Sequence, residues 1–354
     1  MAKFIFKKQN LIDNIGNLKK AFEDKQINFD IFYSVKTNFS SPVLETINEL
    51  CNFEIVSAYE WELVKKFKPK ELVLNGPSKS EDLIKDIIES GVTNLYFNID
   101  NDTDIEIIQN LPSKYLDKVK IGLRVYLDKN DVWNRFGFNI DSEKTIEIIK
   151  SLKNNLRGFH FHFSTNNFNI NNYALILNKI EKLTKEYNLN IEYIDMGGGL
   201  PGADESLMNK MMYSDLPSSI SEFTNKFGKN FRIISEVGRN LVQNVFDLES
   251  NIVSTKLVES DIVDVVIDTN IMHFPCFWEK KFGIEYFPIN KERQVNTINI
   301  FGNSCMQVDK ILENQLITFK PKVGDKIVLT NVGAYSLSQA SNFISKIPDI
   351  EERE

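Results

Sequence analysis

Lys36 closes a short apolar, β-prone run, Phe32-Tyr33-Ser34-Val35-Lys36-Thr37-Asn38. A lysine delivered to the C-terminal end of a strand has little structural use there. Partial burial favours its neutral amine, which attacks carbonyl carbon and forms Schiff bases. Two further segments offer complementary chemistry. Asp195-Met196-Gly197-Gly198-Gly199-Leu200-Pro201-Gly202 follows an apolar run; its three consecutive glycines either make a flexible turn or let backbone N–H groups approach an anion closely. Glu236-Val237-Gly238-Arg239 adds an acid, a glycine and a cation after another apolar run. Neither segment has the spacing of a nucleoside-triphosphate loop or a dinucleotide fingerprint, so those ligands are not indicated.

Two of the three histidines lie in Gly158-Phe159-His160-Phe161-His162-Phe163-Ser164-Thr165. Strand alternation sets His160 and His162 on one face, opposite the phenylalanines. They have no third metal ligand in view and no metal is expected; a ring there can stack on a flat ligand. Cys305, in Phe301-Gly302-Asn303-Ser304-Cys305-Met306-Gln307-Val308-Asp309, reads on residue type alone as a buried, inert thiol. Tyr335, in Gly333-Ala334-Tyr335, reads as a core tyrosine on a small-residue turn.

The elements that must position these groups alternate. Strands are expected over 31–35, 53–56, 71–74, 95–98, 120–126, 158–163, 191–196 and 231–235. Helices are expected over 41–50, 59–67, 80–90, 103–110, 142–152, 171–187 and 218–227. Eight β-then-α units imply parallel strands in a closed (β/α)8, TIM-like barrel, with a doubly wound open sheet as the alternative. In a barrel the strands' C-terminal ends carry the active residues, and phosphate binds in the loops after the last two. Residues 204–217, polar and methionine-rich, read as a loop, either a cover over the site or plain surface. After about residue 246 the pattern is all-β, with strands over 245–255, 261–267, 294–301, 315–319 and 326–330 and a turn at Val323-Gly324-Asp325-Lys326. The expected domains are a barrel over 28–245 and a β-barrel or sandwich domain over 1–27 and 246–354. The second domain carries the Cys305 loop and takes in an N-terminal strand over 3–7.

The 354 residues suffice for these two domains. A net charge of −7 argues against a nucleic-acid partner, and no apolar run is long enough to span a bilayer. The N-terminus is too short in its apolar part for a secretory signal. Three widely spaced cysteines make a reducing cytoplasm the expectation.

Taken together and in this order, the segments resemble the fold-type III pyridoxal-phosphate enzymes, most closely the ornithine/diaminopimelate decarboxylase branch, across residues 33 to 343. Tyr33-Ser34-Val35-Lys36-Thr37-Asn38 resembles the family's lysine motif, which makes Lys36 the residue carrying pyridoxal 5'-phosphate as a Schiff base. Phe53-Glu54-Ile55-Val56-Ser57 resembles the segment beside that lysine, with Glu54 replacing the usual aspartate. By the same resemblance Arg124 lies near the cofactor's phenolic oxygen and His162 stacks on its ring. Gly197, Gly198, Gly199, Gly238, Arg239, Thr165 and Tyr335 hold its phosphate, and Glu236 pairs with the pyridine nitrogen. Cys305 reaches in from the partner subunit of a head-to-tail homodimer with shared sites.

The implied reaction is decarboxylation, in which the pyridinium is the electron sink and Cys305 reprotonates Cα. The family usually places an acid directly after this cysteine to bind the substrate's distal amine. Here Met306 and Gln307 follow, Asp309 is the remaining acid, and Glu279 falls near a second such position. The departure points away from ornithine and diaminopimelate and towards a modified or conjugated amino acid, such as a polyamine or siderophore intermediate. One rival is an amino-acid racemase on the same fold, with a tyrosine facing Lys36 across Cα. The other is a non-catalytic homologue that binds a partner protein. The Cys305 loop argues against the first; the presence of lysine, glycines and cysteine together argues against the second.

Overall fold

The computed structural model describes residues 1–130, 132–165, 169–202, 207–227, 231–275, 282–289 and 293–353, with backbone alone over 207–212. The chain divides into two units, Ile12–Leu241 and Met1–Leu11 with Val242–Glu354, which places residues 12–27 with the barrel.

Eight parallel strands close the first unit into a ring in sequence order: Asn28–Ser34, Asn52–Ile55, Glu71–Leu74, Asn94–Ile99, Val119–Tyr126, Leu156–His160, Tyr193–Asp195 and Arg232–Ser235. Asn94–Ile99 pairs with Val119–Tyr126, and Arg232–Ser235 returns to Asn28–Ser34. This closure excludes the open doubly wound sheet. The strands carry apolar residues on both faces because helices cover the outside and side chains fill the inside. Phe32, Val73, Tyr96, Tyr193 and Ile234 form one layer of that filling. Two strand glycines make it possible. A Cβ on Gly158 would lie 2.4 Å from Tyr193 Cζ, and one on Gly122 would lie 2.4 Å from the Tyr193 hydroxyl. Near the strands' N-terminal ends Arg232 donates to Asp30 Oδ2 (2.6 Å) and to both oxygens of Glu71, a charged plug beneath the aromatic layer.

The second unit holds an eight-stranded mixed sheet, in the order Gly283–Phe287, Lys326–Thr330, Phe246–Glu259, Ile262–Ile267, Arg293–Phe301, Lys310–Phe319. The N-terminal strand Lys3–Phe6 joins it as expected, antiparallel to Phe246–Glu249.

Several elements differ from expectation. Helix Lys8–Glu23 occupies most of the N-terminal stretch assigned to the β domain; Leu11, Ile15, Leu18 and Phe22 form its buried stripe at helical spacing. The 204–217 loop is a helix over Leu207–Thr224, hidden from the sequence by Pro217 inside it and by its weak amphipathic pattern. Strands Gly283–Phe287 and Asp349–Glu352 were not anticipated. The 158–163 strand stops at His160, so His162 stands just beyond it. Among the described residues no helix is long and apolar enough to cross a membrane.

Candidate functional site

Lys36 sits in a single 3-10 turn, Val35–Thr37, directly after its strand. Its Nζ donates to Ser34 Oγ (2.6 Å) and Glu54 Oε2 (2.8 Å), and Ser34 Oγ donates to the same Glu54 oxygen at 2.6 Å. Glu54 is 1 % exposed. From it a hydrogen-bonded chain crosses the barrel. Asn75 Nδ2 donates to Glu54 Oε1 (3.3 Å) and to Glu236 Oε1. Asn98 Nδ2 donates to Asn75 Oδ1 (3.0 Å) and Asp195 Oδ2 (2.9 Å), and accepts from the Tyr193 hydroxyl (3.2 Å) at Oδ1.

Apart from Tyr193, which begins its strand, the members of this chain stand at or near the C-terminal ends of barrel strands, which is why residues far apart in sequence meet. Lys36 and Glu236, joined through Glu54 and Asn75, share one network. Ser34, Asn75, Asn98 and Asp195 were missed. The signal was the one that marks Lys36, a polar side chain ending an apolar strand, but asparagine is so common in this chain that Asn75 and Asn98 did not stand out.

Glu236, Asp195 and His160 are all buried, each offering one ligand-type atom within 4.8 Å of the others. His160 therefore has acidic company that its sequence neighbourhood does not show. At an effective dielectric of about 20, two full charges this close repel by at least about 3.5 kcal/mol. Burial pushes the Asp195 acid well above its usual range, and the neighbouring Glu236 carboxyl pushes it further. Burial opposes ionisation of Glu236 as well, yet His160, Asp195 and Lys36 together hold its carboxyl below the usual range.

His162 is pinned on its ring edge and one face. Its Nδ1 accepts the Gly198 N–H (3.1 Å), so the ring's proton is on Nε2. Burial, then the Arg124 charge, pull its pKa from 6.5 down to about 3, and the imidazole is neutral near pH 7. Trp133 packs on it, ring centroids 5.4 Å apart and planes 35° from parallel, held there by its own N–H on Phe163 O (2.7 Å). Trp133 is another residue the sequence reading missed.

The glycines line a cradle with no room for side chains. Gly197 and Gly199 have φ of +64° and +84°. A Cβ would lie 2.6 Å from Phe161 O at Gly197, 2.5 Å from Glu236 O at Gly198 and 2.1 Å from Ser164 O at Gly199. At Gly238 it would lie 2.0 Å from Thr37 Oγ1. Asn240 Nδ2 donates to Pro201 O (2.7 Å), tying the loop after Glu236 to the glycine run. Arg239 opens the short helix Arg239–Val242, and Thr165 lies in a turn past His162. Arg124 lies 3.4 Å from Asp100 Oδ1, with its guanidinium 4.8 Å from the Phe136 ring centre. Behind Asp100, the fully buried Lys79 pairs with Asp104 at 2.8 Å.

The remaining expected residues belong to the other unit. Cys305 is exposed rather than a buried thiol. Asp309, expected on the substrate side, is 2 % exposed. Its carboxylate accepts the N–H groups of Ile271 (3.0 Å) and Ser304 (2.9 Å), closing the cysteine loop on itself. Met306 is half-buried, and Tyr335 has a left-handed φ of 62°. Glu279 lies outside the described residues.

Comparison with known proteins gives a family and a fold. Residues 9–243 match the family model described as pyridoxal-dependent decarboxylase, pyridoxal binding domain. Antizyme inhibitor 2 of Xenopus laevis is 25 % identical over 88 % of this chain and 73 % of its own length. Diaminopimelate decarboxylase of Aquifex aeolicus is 25 % identical over 96 % of this chain and 83 % of its own. The fold matches the crystal structure of the Paramecium bursaria Chlorella virus arginine decarboxylase bound to agmatine, with a TM-score of 0.84 at 17 % identity, covering 99 % and 96 % of the two chains. The donor set suits pyridoxal phosphate: a lysine amine, a buried ionised carboxylate, a neutral flat ring, and a glycine run packed so closely on its neighbours that only backbone fits there.

Proposed function

The chain belongs to the pyridoxal-dependent decarboxylases, and from that premise we propose that it removes the α-carboxylate of an amino acid or an amino-acid-derived biosynthetic intermediate. Pyridoxal phosphate, when bound, supplies the electron sink for the carbanion that loss of CO2 leaves. Lys36 would hold the cofactor covalently through Nζ, with Ser34 and Glu54 orienting that amine. Glu236 would keep a proton on the ring nitrogen. Neutral His162 offers a flat face for stacking, and Arg124 a cation for the phenolic oxygen. Gly197, Gly198, Gly199, Gly238, Arg239, Thr165 and Tyr335 would hold the phosphate. Cys305 would return a proton to Cα, entering from the partner in a head-to-tail homodimer.

The observation that carries this reading is the hydrogen-bonded path Lys36–Glu54–Asn75–Glu236. It places an amine suited to covalent attachment and an anion suited to a pyridinium in one network. The relatives include an antizyme inhibitor; lysine, glycine cradle and cysteine, all present together, support catalysis over partner binding here. Met306 and Gln307, where the resemblance expects an acid, favour a substrate whose distal nitrogen is conjugated or absent, made in the cytoplasm for a polyamine or siderophore pathway.

The test is CO2 release by the cofactor-loaded protein from ornithine, lysine, arginine, diaminopimelate and their N-carboxyalkyl or N-acyl derivatives, with a peptide map after borohydride. A pyridoxyl group on Lys36 and CO2 from one class of substrate is the expected result. Exchange of the α-hydrogen without CO2 would move the assignment to a racemase. A protein that takes up no pyridoxal phosphate would sink the enzyme reading altogether.

A further inference from the structure

Asp195 is the one fully buried acid of the network to which the proposed chemistry gives no task. It ends the strand Tyr193–Asp195, which pairs with Arg232–Ser235, the strand that leads into Glu236. Its two oxygens meet neutral donors, Asn98 Nδ2 at 2.9 Å and the Gly197 N–H at 3.0 Å. Glu236 is placed differently. It accepts from Asn75, lies 3.6 Å from His160 Nε2, and feels the Lys36 charge. Two carboxylates side by side in a dry interior do not both ionise. The two carboxyls and His160 lie within 4.8 Å of one another, but the histidine's ion-pair contact and the Lys36 charge fall on Glu236, so the proton belongs to Asp195, whose hydrogen-bond donors are both neutral.

We infer that Asp195 is a positioning residue: a carboxyl that keeps its proton, donates it in a hydrogen bond to Glu236, and so leaves Glu236 as the single, oriented anion of the pair. Burial and the adjacent carboxyl, which raise the Asp195 acid, agree with this. The same side chain accepts the Gly197 N–H at the first residue of the glycine cradle. One residue thereby sets both the charge offered to the ring nitrogen and the start of the loop offered to the phosphate. This role takes its meaning from the proposed function, since Glu236 must have a cofactor to act on, but the proton on Asp195 does not depend on it.

The experiment therefore has two arms. In the cofactor-free full-length protein, infrared difference spectra of wild type against Asp195→Asn near neutral pH should contain a protonated-carboxyl stretch that the variant lacks. No such band overturns the inference whatever the cofactor does. In the second arm, pyridoxal phosphate affinity is measured by equilibrium dialysis. Asp195→Asn, which can still donate to Glu236 but then accepts only one of the two N–H groups, should bind more weakly than wild type and more tightly than Asp195→Ala. Asp195→Ala should bind about tenfold or more weakly, the usual loss when a hydrogen bond to a charged group is removed. An Asn variant as weak as the Ala variant, or an Ala variant as tight as wild type, overturns the positioning role. If wild type binds no pyridoxal phosphate, the proposed function fails and the infrared arm still decides the protonation.

Discussion

Lys36 Nζ lies 2.8 Å from Glu54 Oε2, a contact in which the lysine side chain is 43 % exposed and the glutamate 1 %. The pair is thus open on the amine side and sealed on the acid side. The amine is reachable, while the acid orienting it is held by Ser34 and Asn75. Lys36→Ala should abolish the borohydride-trapped pyridoxyl peptide and lower kcat by at least about 1,000-fold, as expected for loss of a covalent anchor. Glu54→Gln should keep the trapped peptide and slow its formation. A trapped peptide at another lysine in Lys36→Ala would refute the assignment.

Glu236→Gln removes the anion and keeps the shape. Cofactor affinity should fall modestly, whereas kcat should fall about 100-fold or more, in line with loss of a preorganised charge. Equal loss in binding and turnover would mean that Glu236 serves only to hold the ring.

His162 gives a pH signature. Its folded-state pKa of about 3 lies below the ordinary 6.5. The stability this neutral ring contributes is complete above pH 6.5 and is lost as pH falls from there towards 3. His162→Gln should therefore show a shallower fall of Tm over that window than wild type. Trp133→Ala should weaken pyridoxal phosphate binding about three- to tenfold, the range for a lost aromatic pair, while Trp133→Phe restores it. If Phe fails to restore binding, Trp133 does not act by stacking.

Gly158→Ala would put a methyl group 2.4 Å from Tyr193 Cζ. Overpacking of this kind destabilises by about 1–3 kcal/mol, which urea unfolding would measure. Because Tyr193 also donates to Asn98, the variant should lose cofactor affinity too, although it lies outside the acid network.

The exposed Cys305 yields a complementation test. On the proposed head-to-tail homodimer, the Cys305→Ala and Lys36→Ala proteins should each turn over poorly. Mixed and re-equilibrated, they should regain about a quarter of wild-type activity, the statistical share of sites receiving both intact residues in a head-to-tail dimer. No recovery on mixing would place both residues in one protomer's site.

The barrel was legible because its signal is repetitive: an apolar strand, a helix, and a polar residue at each crossing point. Lys36 and Glu236 surfaced through that pattern, whereas Glu54 came only through the resemblance of residues 53–57 to the family segment. Asn75 and Asn98 carry the same positional signal, but in a chain this rich in asparagine the residue type conveyed little. Trp133 was invisible for another reason, since its contact with His162 depends on a loop path that no periodicity encodes. The helix Leu207–Thr224 was masked by Pro217, which local chemistry reads as a break and the packed fold tolerates.

Asn75 spans Glu54 and Glu236 with one amide, and its acid–base character has a consequence of its own. A carboxamide donates and accepts hydrogen bonds but neither gives up nor takes on a proton in the physiological range. The bridge between the amine end and the ring end of the site therefore behaves as an insulator: it transmits geometry from one carboxylate to the other while barring protons from hopping between them. On the proposed function, acid–base events at Lys36 would therefore not be relayed to Glu236 through this bridge.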